Sequence, residues 1–442
     1  MGINKVDQKS IAYQILYFFV KIWHHIFFYQ KIEISHQDRI PKEGPVIITP
    51  NHQNALMDAL ALLFSLKRTI VFLARADMFK TKLIAEILYF LRILPVFRPR
   101  DGKGEVKKNQ DTFDKTTEVL QKNYVLGIFP EGNHGDKHNL RALKKGFARI
   151  AFQTEEGNDY KMGIKIIPTG MLYSNYQNCQ SVLSINFGYP ISLEDFYEDY
   201  KTNPAVAYNK ASIRLSEELK KYMIHIEDDE YYETIDFLQT LFGKEILRDS
   251  FESYSNRIES GMASVEKINK YKDTHAQQFE ALHKTTSQFL AKSQTLNMIQ
   301  KQLLVFWSWP TFLGQLLVFL VTFPILLISH FITLLPVSIS LFVTSKIKDP
   351  QFKSSIKFVV SLLSFPIFFL IELSIFNSLC YYPTYYFFIG FTISVLISSQ
   401  TAGWVRRFFG RFKLFTFWMF HSRPFKILQE TISEIKESIK PI

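Results

Sequence analysis

Pro45–Leu62 reads PVIITPNHQNALMDALAL, and a change of period inside it decides the fold. Val46–Thr49 is a short apolar run rich in β-branched residues, the pattern of a buried strand. The run stops at Pro50. After a polar turn, the apolar residues of Ala55–Leu66 recur at helical spacing. The same alternation continues outward. Strand-like runs fall at Thr69–Leu73, Leu94–Phe97, Val125–Phe129, Ile164–Pro168 and Val182–Phe187, with helical segments such as Lys80–Leu91 and Phe113–Lys122 between them. Strands alternating with helices predict an α/β domain around a mostly parallel sheet, flanked by helices. From Asp195 to Met298 the pattern turns charged, helical and poor in strands, which predicts a helical connecting region over 226–300.

Composition sets the surroundings of that domain. The 442 residues are 47% hydrophobic and 15% aromatic, with 52 Lys and Arg against 41 Asp and Glu, a net charge of +11. Such a chain is too apolar to be disordered, and it favours anionic partners: nucleic acid, a membrane face or phosphorylated small molecules. Its two cysteines, Cys179 and Cys380, are too few for a disulfide scaffold or a cysteine-built zinc site.

Two tracts are nearly free of charge. Gln302–Ser345 holds no Asp, Glu, Lys or Arg, with His330 its only titratable side chain, and Phe358–Gln400 holds only Glu372. A spanning helix needs about 20 apolar residues, so each tract has room for two. Basic residues lie before, between and after the tracts: Lys301, then Lys346, Lys348, Lys353 and Lys357, then Arg406, Arg407, Arg411 and Lys413. Basic loops collect on the cytoplasmic side. Two hairpins, four helices over 301–405, are therefore expected, with turns near Thr322–Pro324 and Asn377–Pro383 and a basic cytoplasmic tail over 406–442. One long tilted span per tract, or re-entrant helices broken at Pro310, Pro324, Pro336 and Pro366, is the alternative. At the other end, Ile11–Tyr29 reads as a membrane-interface helix within residues 1–34, with Trp23 and its tyrosines at headgroup level. No small-residue cleavage site follows it, unlike a signal peptide.

Three stretches hold the candidate chemistry. Asn51-His52 follows the first strand, and Asp58 comes six residues after the histidine. Six helical residues turn about 600°, leaving the two side chains roughly 120° apart. They meet only if His52 precedes the helix. A carboxylate on one imidazole nitrogen would fix the tautomer and leave the other nitrogen to take a proton from a hydroxyl. The second stretch, Tyr124–Phe152, runs from a strand into Phe129-Pro130-Glu131-Gly132, a polar loop and the cations Arg141, Lys144 and Lys145. Its His134, Asp136 and His138 match no common zinc spacing. In the third, Arg98, Arg100, Lys103, Lys107 and Lys108 put five cations in eleven residues after another strand. In a wound sheet the carboxyl ends of strands form the ligand crevice, so all three stretches can face one site.

Together these motifs resemble the glycerol-phosphate and lysophospholipid acyltransferase superfamily. Its first motif looks like Asn51-His52…Asp58, its Phe-Pro-Glu-Gly motif stands unbroken at Phe129–Gly132, and its apolar-Pro motif is similar to Ile166-Ile167-Pro168. The Arg-containing motif matches Phe97-Arg98 loosely. The resemblance covers residues 35–225. Five residues separate His52 from Asp58 where four are usual, and five is similar to the fungal-type glycerol-3-phosphate/dihydroxyacetone-phosphate acyltransferases. The usual threonine after the glycine is replaced by Asn133.

The resemblance implies a membrane-bound O-acyltransferase of phospholipid biosynthesis with its catalytic domain on the cytoplasmic face. His52 would be the general base and Asp58 its orienter. Glu131 and Gly132 would shape the acceptor pocket, and Arg98 and Lys144 would hold its phosphate. Asn51, Pro130 and the amides of the Asn51–Gln53 turn would shape the site and its oxyanion hole. Partners would be the bilayer, an acyl donor (acyl-CoA or acyl carrier protein) and a glycerol phosphate, with no nucleic acid, cofactor or metal. A lysophosphatidate acyltransferase is the alternative within the class. A transporter would call for more intramembrane polar residues, and a catalytically dead lipid-binding protein would fit better if His52, Asp58 or Glu131 were missing.

Overall fold

The structure is a computed structural model and describes residues 3, 6, 10–97, 109–135, 137–295, 309–420 and 422–442. Two compact units divide it, one of residues 1–22, 32–176 and 182–225, the other of residues 23–31, 177–181 and 226–442.

In chain order the elements up to residue 295 are α1 (Ile11–Ile22), β1 (Tyr29–Ser35), β2 (Val46–Pro50), α2 (Ala55–Ser65), β3 (Ile70–Arg75), α3 (Lys82–Phe90), β4 (Ile93–Val96), α4 (Asn109–Gln121), β5 (Val125–Gly127), α5 (Gly146–Glu156), β6 (Lys165–Tyr173), β7 (Ser181–Phe187), β8 (Ile191–Ser192), α6 (Tyr197–Thr202), α7 (Pro204–Lys220), α8 (Tyr232–Leu247), α9 (Arg257–Thr274) and α10 (Ala276–Thr295). The described strands form one sheet in the order β1-β7-β6-β2-β5-β3-β4, with β8 also pairing β6. The pairs from β6 to β4 are parallel, whereas β7 and β8 run antiparallel to β6. This is the α/β fold expected from the alternating pattern.

β2 sits between β5 and β6 with all five residues buried, which explains its unbroken apolar run. In its register Ile48 faces Gly127 on one side and Ile167 on the other. Gly127 leaves room for Phe72, since a Cβ there would lie 2.6 Å from that ring. α4 and α5 close one face of the sheet, where Val119, Leu120, Phe147, Ala151 and Phe152 are fully buried with Ile47 and Leu126. Adjacent parallel strands end on the same edge of a sheet, so the turns after β2 and β5 start side by side.

In the second unit, α8, α9 and α10 pack on one another, and α10 packs with the helix Ser422–Ser438. Residues 406–442 are thus no tail. The basic cluster Arg406–Lys413 lies inside the helix Thr384–Phe420, and Phe425, Leu428, Ile432 and Ile435 are buried along the last helix. Their spacing of three and four is a helical stripe that the surrounding charge obscured.

The charge-poor tracts form three long helices among the described residues, Trp309–Ser345, Pro350–Leu379 and Thr384–Phe420, each long and apolar enough to cross a membrane. The expected four-helix arrangement is corrected in its first half. No turn forms at Thr322–Pro324, and the helix runs through Pro324 and Pro336. Without water to solvate a broken backbone, an apolar tract keeps its helical bonds and tolerates proline when neighbours meet the freed carbonyls. The carbonyl that Pro336 leaves without an amide is that of Ile332, four residues earlier; between the helices Ser364 Oγ donates to the Pro336 carbonyl at 3.3 Å, and Thr333 and Ser398 pair at 2.8 Å. The second reversal does occur, between Leu379 and Thr384. Glu372 is half-buried, and His330 Nδ1 lies 2.9 Å from the Leu326 carbonyl oxygen.

Ile11–Phe28 is also long and apolar enough to cross a membrane. Tyr13 packs on Phe90 and Tyr17 on Phe64, both in the α/β unit, while Trp23 donates to Ser361 Oγ at 3.0 Å and packs on Phe365. Tyr29–Ser35, part of the expected N-terminal segment, is strand β1.

Candidate active site

Pro50 ends β2, and Asn51 ties the departing chain back to β6. Met171 N donates to Asn51 Oδ1 at 2.7 Å, Asn51 Nδ2 donates to the Met171 carbonyl at 3.1 Å, and Asn51 N donates to the Thr169 carbonyl at 3.2 Å. His52 therefore leaves the sheet before α2 begins, the condition its spacing from Asp58 required. Its Nδ1 lies 2.8 Å from Asp58 Oδ2. Asp58 sits in the first turn of α2, fully buried. Oδ2 also accepts the amides of Gln53 at 2.8 Å and Asn54 at 2.7 Å, and Oδ1 accepts the Tyr173 hydroxyl at 2.7 Å. Four donors and the positive end of the helix dipole compensate the buried charge. They also hold a tight turn in which Ala55 has φ 43°, a left-handed conformation costly for alanine. With Nδ1 donating to a carboxylate, Nε2 carries the lone pair and can accept a proton.

The loop after β5 supports the same histidine from below and behind. The Phe129 ring stacks on the His52 ring at 4.2 Å. Gly132 takes φ 67° to close the turn, and its amide donates to the Phe129 carbonyl at 3.1 Å. The turn aims Glu131 inward, where its side chain is 3% exposed. Glu131 Oε1 accepts the His52 amide at 2.8 Å, and Oε2 accepts Arg141 Nε at 2.6 Å. The His52 carbonyl in turn accepts from Arg141 Nη2 and from the Gly135 amide, each at 3.2 Å. Both backbone groups of His52 are thus held by the 131–141 loop.

This geometry brings His52, Asp58, Asn51, Pro130, Glu131 and Gly132 together and revises several of their roles. The Asn51–Gln53 amides are not available as an oxyanion hole: the first donates to Thr169, the second to Glu131 and the third to Asp58. The turn uses its own donors to set the histidine. Glu131 holds His52 by accepting its backbone amide, and its other carboxylate oxygen is paired with Arg141. Lys144 is exposed, and its amide donates to the Pro130 carbonyl at 2.6 Å. Arg98 lies outside the described residues, as do Arg100, Lys103, Lys107, Lys108 and Asp136. The His134 ring meets His52 edge-on at 5.6 Å, and His138 Nε2 lies 3.2 Å from the Tyr176 hydroxyl, which also reaches Gln53 Oε1 at 2.9 Å. No three His, Cys, Asp or Glu among the described residues are grouped to hold a metal.

Sequence reasoning did not single out Tyr173, Phe129 as a platform, or Arg141 as the partner of Glu131. Tyr173 is 115 residues from Asp58 and meets it only through the pairing of β2 with β6. A tyrosine five residues after Pro168 on a strand was the one available signal.

Residues 31–172 match the acyltransferase family model. Over 145 residues the chain is 26% identical to a 1-acyl-sn-glycerol-3-phosphate acyltransferase of Borreliella burgdorferi, covering 33% of this chain and 52% of that protein. It is 29% identical to glycerol-3-phosphate O-acyltransferase 2 of Saccharomyces cerevisiae over 25% of this chain and 15% of that one. Glycerol-3-phosphate O-acyltransferase 1 of the same yeast is likewise 29% identical, over 29% and 17%. The chain spans about half the length of the bacterial relative and under a fifth of the yeast ones. The crystal structure of the 1-acyl-sn-glycerophosphate acyltransferase of Thermotoga maritima is similar at 19% identity and a TM-score of 0.32, covering 47% of this chain and 80% of that one. The superfamily and its fungal glycerol-3-phosphate branch, which the motifs resemble, are both represented among these relatives.

Proposed function

We propose that this chain, whose residues 31–172 carry an acyltransferase-family domain, is a membrane-bound O-acyltransferase that moves a fatty acyl group from a thioester onto a glycerol phosphate. The observation that carries the reading is the His52 Nδ1–Asp58 Oδ2 bond at 2.8 Å on a histidine fixed at both backbone groups. His52 Nε2 takes the proton of the acceptor hydroxyl as its oxygen attacks the thioester carbonyl. The tetrahedral intermediate collapses with cleavage of the C–S bond, and the thiolate leaves with the proton returned by His52. The oxyanion is met by donors other than the Asn51–Gln53 amides, which are already engaged. The thioester is activated by its own chemistry, so no covalent enzyme intermediate is needed. Arg98 and Lys144 are the cations assigned to the acceptor phosphate, and the long apolar helices hold the enzyme at the bilayer where the acyl product stays.

The acceptor proposed is glycerol 3-phosphate or dihydroxyacetone phosphate, supported by the five-residue spacing between His52 and Asp58 and by the two yeast relatives. A lysophosphatidate acceptor is the second reading, favoured by the bacterial relative. The donor proposed is acyl-CoA or acyl carrier protein, with the catalytic domain on the cytoplasmic face. The test is an acceptor panel in nanodiscs with labelled acyl-CoA: glycerol 3-phosphate, dihydroxyacetone phosphate, lysophosphatidate and other lysophospholipids. General-base catalysis supplies about 10²–10⁴ in rate, so a folded His52→Ala protein should lose at least that factor. Near-full turnover by that variant would overturn the mechanism, and preference for lysophosphatidate would establish the second reading.

A further inference from the structure

The proposed reaction leaves one duty unassigned, that of meeting the charge that develops on the thioester oxygen. An oxyanion needs N–H groups about 3 Å away, and the amides nearest His52 are committed elsewhere. Those of residues 51–54 go to Thr169, Glu131 and Asp58. Those of Gly132 and Gly135 go to the carbonyls of Phe129 and His52. Arg141 gives its Nε to Glu131 and its Nη2 to the His52 and Asn133 carbonyls. A side chain must therefore supply the donor. Among the described residues, the polar ring that meets His52 is His134, half-buried, with its centroid 5.6 Å away and its plane at 82°.

The loop that carries this ring is fixed on both sides of it. Before it, the Asn133 carbonyl accepts Arg141 Nη2; after it, the Gly135 amide donates to the His52 carbonyl at 3.2 Å. A Cβ at Gly135 would lie 3.1 Å from Arg141 Nη1, so glycine leaves room for the guanidinium. Further along, the Lys137 carbonyl accepts Gln53 Nε2 at 3.1 Å. His138 Nε2 lies 3.2 Å from the Tyr176 hydroxyl, which donates to Gln53 Oε1 at 2.9 Å. Ordering a loop costs about 1–2 kcal/mol per residue, and these bonds offset that cost to hold one imidazole beside another. The Phe129 ring stacks on His52 at 4.2 Å and 28°, and Phe72 stacks on Phe129 at 6.4 Å and 13°. Aromatic rings thus pack the base, while His134 stands at an angle to it.

We propose that His134 is a catalytic residue, donating a ring N–H to the thioester carbonyl oxygen as negative charge forms on it. The attacking oxygen and the oxyanion sit on the same carbon. Base and oxyanion donor must then be neighbours, each about 3 Å from its own oxygen. Two imidazoles 5.6 Å apart meet that condition. A histidine offers at least one N–H in either protonation state, and a donor half-removed from water acts in a lower dielectric, where it is stronger. The His134 proton stays in place throughout. The proton that moves comes from the acceptor hydroxyl, passes to His52 Nε2 and leaves on the thiol. This inference rests on the acyl transfer proposed above.

The test uses the full chain in nanodiscs, with the acceptor it prefers in the panel and initial rates of thiol release from acyl-CoA. His134→Phe keeps a ring against His52 but carries no N–H. His134→Asn and His134→Gln put an amide N–H near the positions of Nδ1 and Nε2. Losing one oxyanion donor costs about 10²–10³ in kcat. His134→Phe should fall by that factor, with both KM values and the melting temperature close to wild type. One of the two amide variants should recover about tenfold or more of that loss. Wild-type kcat in His134→Phe would overturn the inference. So would a raised acceptor KM at unchanged kcat, which would make His134 a ligand of the acceptor phosphate. Equal slowness of all three variants would also overturn it, by making His134 a proton carrier. His52→Ala runs beside them. A wild type silent with every acceptor defeats the proposed reaction, whereas an active wild type, a dead His52→Ala and a full-rate His134→Phe defeat this inference alone.

Discussion

Asp58→Asn and Asp58→Ala should fail in different ways, because the carboxylate has two separable duties. Its four acceptor bonds hold the turn together, and its charge faces the ring that becomes an imidazolium during proton transfer. Asparagine can keep the first duty. Its oxygen can take the Oδ2 position towards Gln53, Asn54 and His52, and its NH₂ can donate to the Tyr173 oxygen. What it loses is the ion pair formed with His52 in the transition state. At an effective dielectric of about 20 and a charge separation of about 4 Å, that interaction is worth roughly 4 kcal/mol. This corresponds to about 10³ in rate. Alanine loses the same charge and leaves buried donors unpaired, at about 1–3 kcal/mol each. The asparagine variant should therefore melt near the wild type and turn over about 10³-fold more slowly. The alanine variant should be as inactive and should also melt lower, by roughly 6–12 °C if about 3 kcal/mol is lost. Initial rates of thiol release from acyl-CoA, beside melting curves followed by circular dichroism, measure both. Turnover by Asp58→Asn within tenfold of wild type would refute the charge argument. A melting loss in asparagine equal to that in alanine would refute the hydrogen-bond argument.

Further outcomes follow from the same geometry. Arg141→Leu strands the Glu131 carboxylate, but solvent reaches the arginine, so the stability loss should be only about 1–2 kcal/mol. Its signature should be lower kcat and melting temperature with little change in acceptor KM, whereas a raised KM alone would make Arg141 a substrate ligand. Tyr173→Phe removes one bond to a buried charge, about 1.5–3 kcal/mol, and should lower the melting temperature while costing less activity than Asp58→Asn. In the helical unit, burial raises the Asp228 pKa, but the Lys272 ammonium and the Tyr231 and Glu230 amides outweigh it and hold the carboxyl below its usual value. A depressed carboxylate stabilises the fold above its unfolded pKa, and that stabilisation fades as pH falls through the folded one. Lys272→Met should accordingly melt about 2 °C lower at neutral pH, with the gap closing at pH below the carboxylate range. A gap that persists in acid would assign the loss to packing.

The sequence by itself determined the α/β order, the strand ends that carry the motifs, and the meeting of His52 with Asp58 once His52 was placed before the helix. Those features are local. Period, proline and glycine act within a few residues, and a short apolar run rich in β-branched residues and stopped by proline has the pattern of a strand buried on both faces. The charge-poor tracts were legible for the same reason. What stayed hidden depended on partners distant in the chain. Whether Pro324 ends a helix depends on the surroundings of the backbone there, and the burial of Phe425 and Ile435 depends on the helices packed around them. Glu131 read as a substrate residue because only the tertiary structure brings the His52 amide and Arg141 to its two oxygens. Tyr173 reaches Asp58 because β6 pairs with β2, and the turn amides were lost as oxyanion donors because Glu131, Asp58 and Thr169 had already taken them. A hydrogen bond has a partner that composition and spacing do not name; the sheet register chose it.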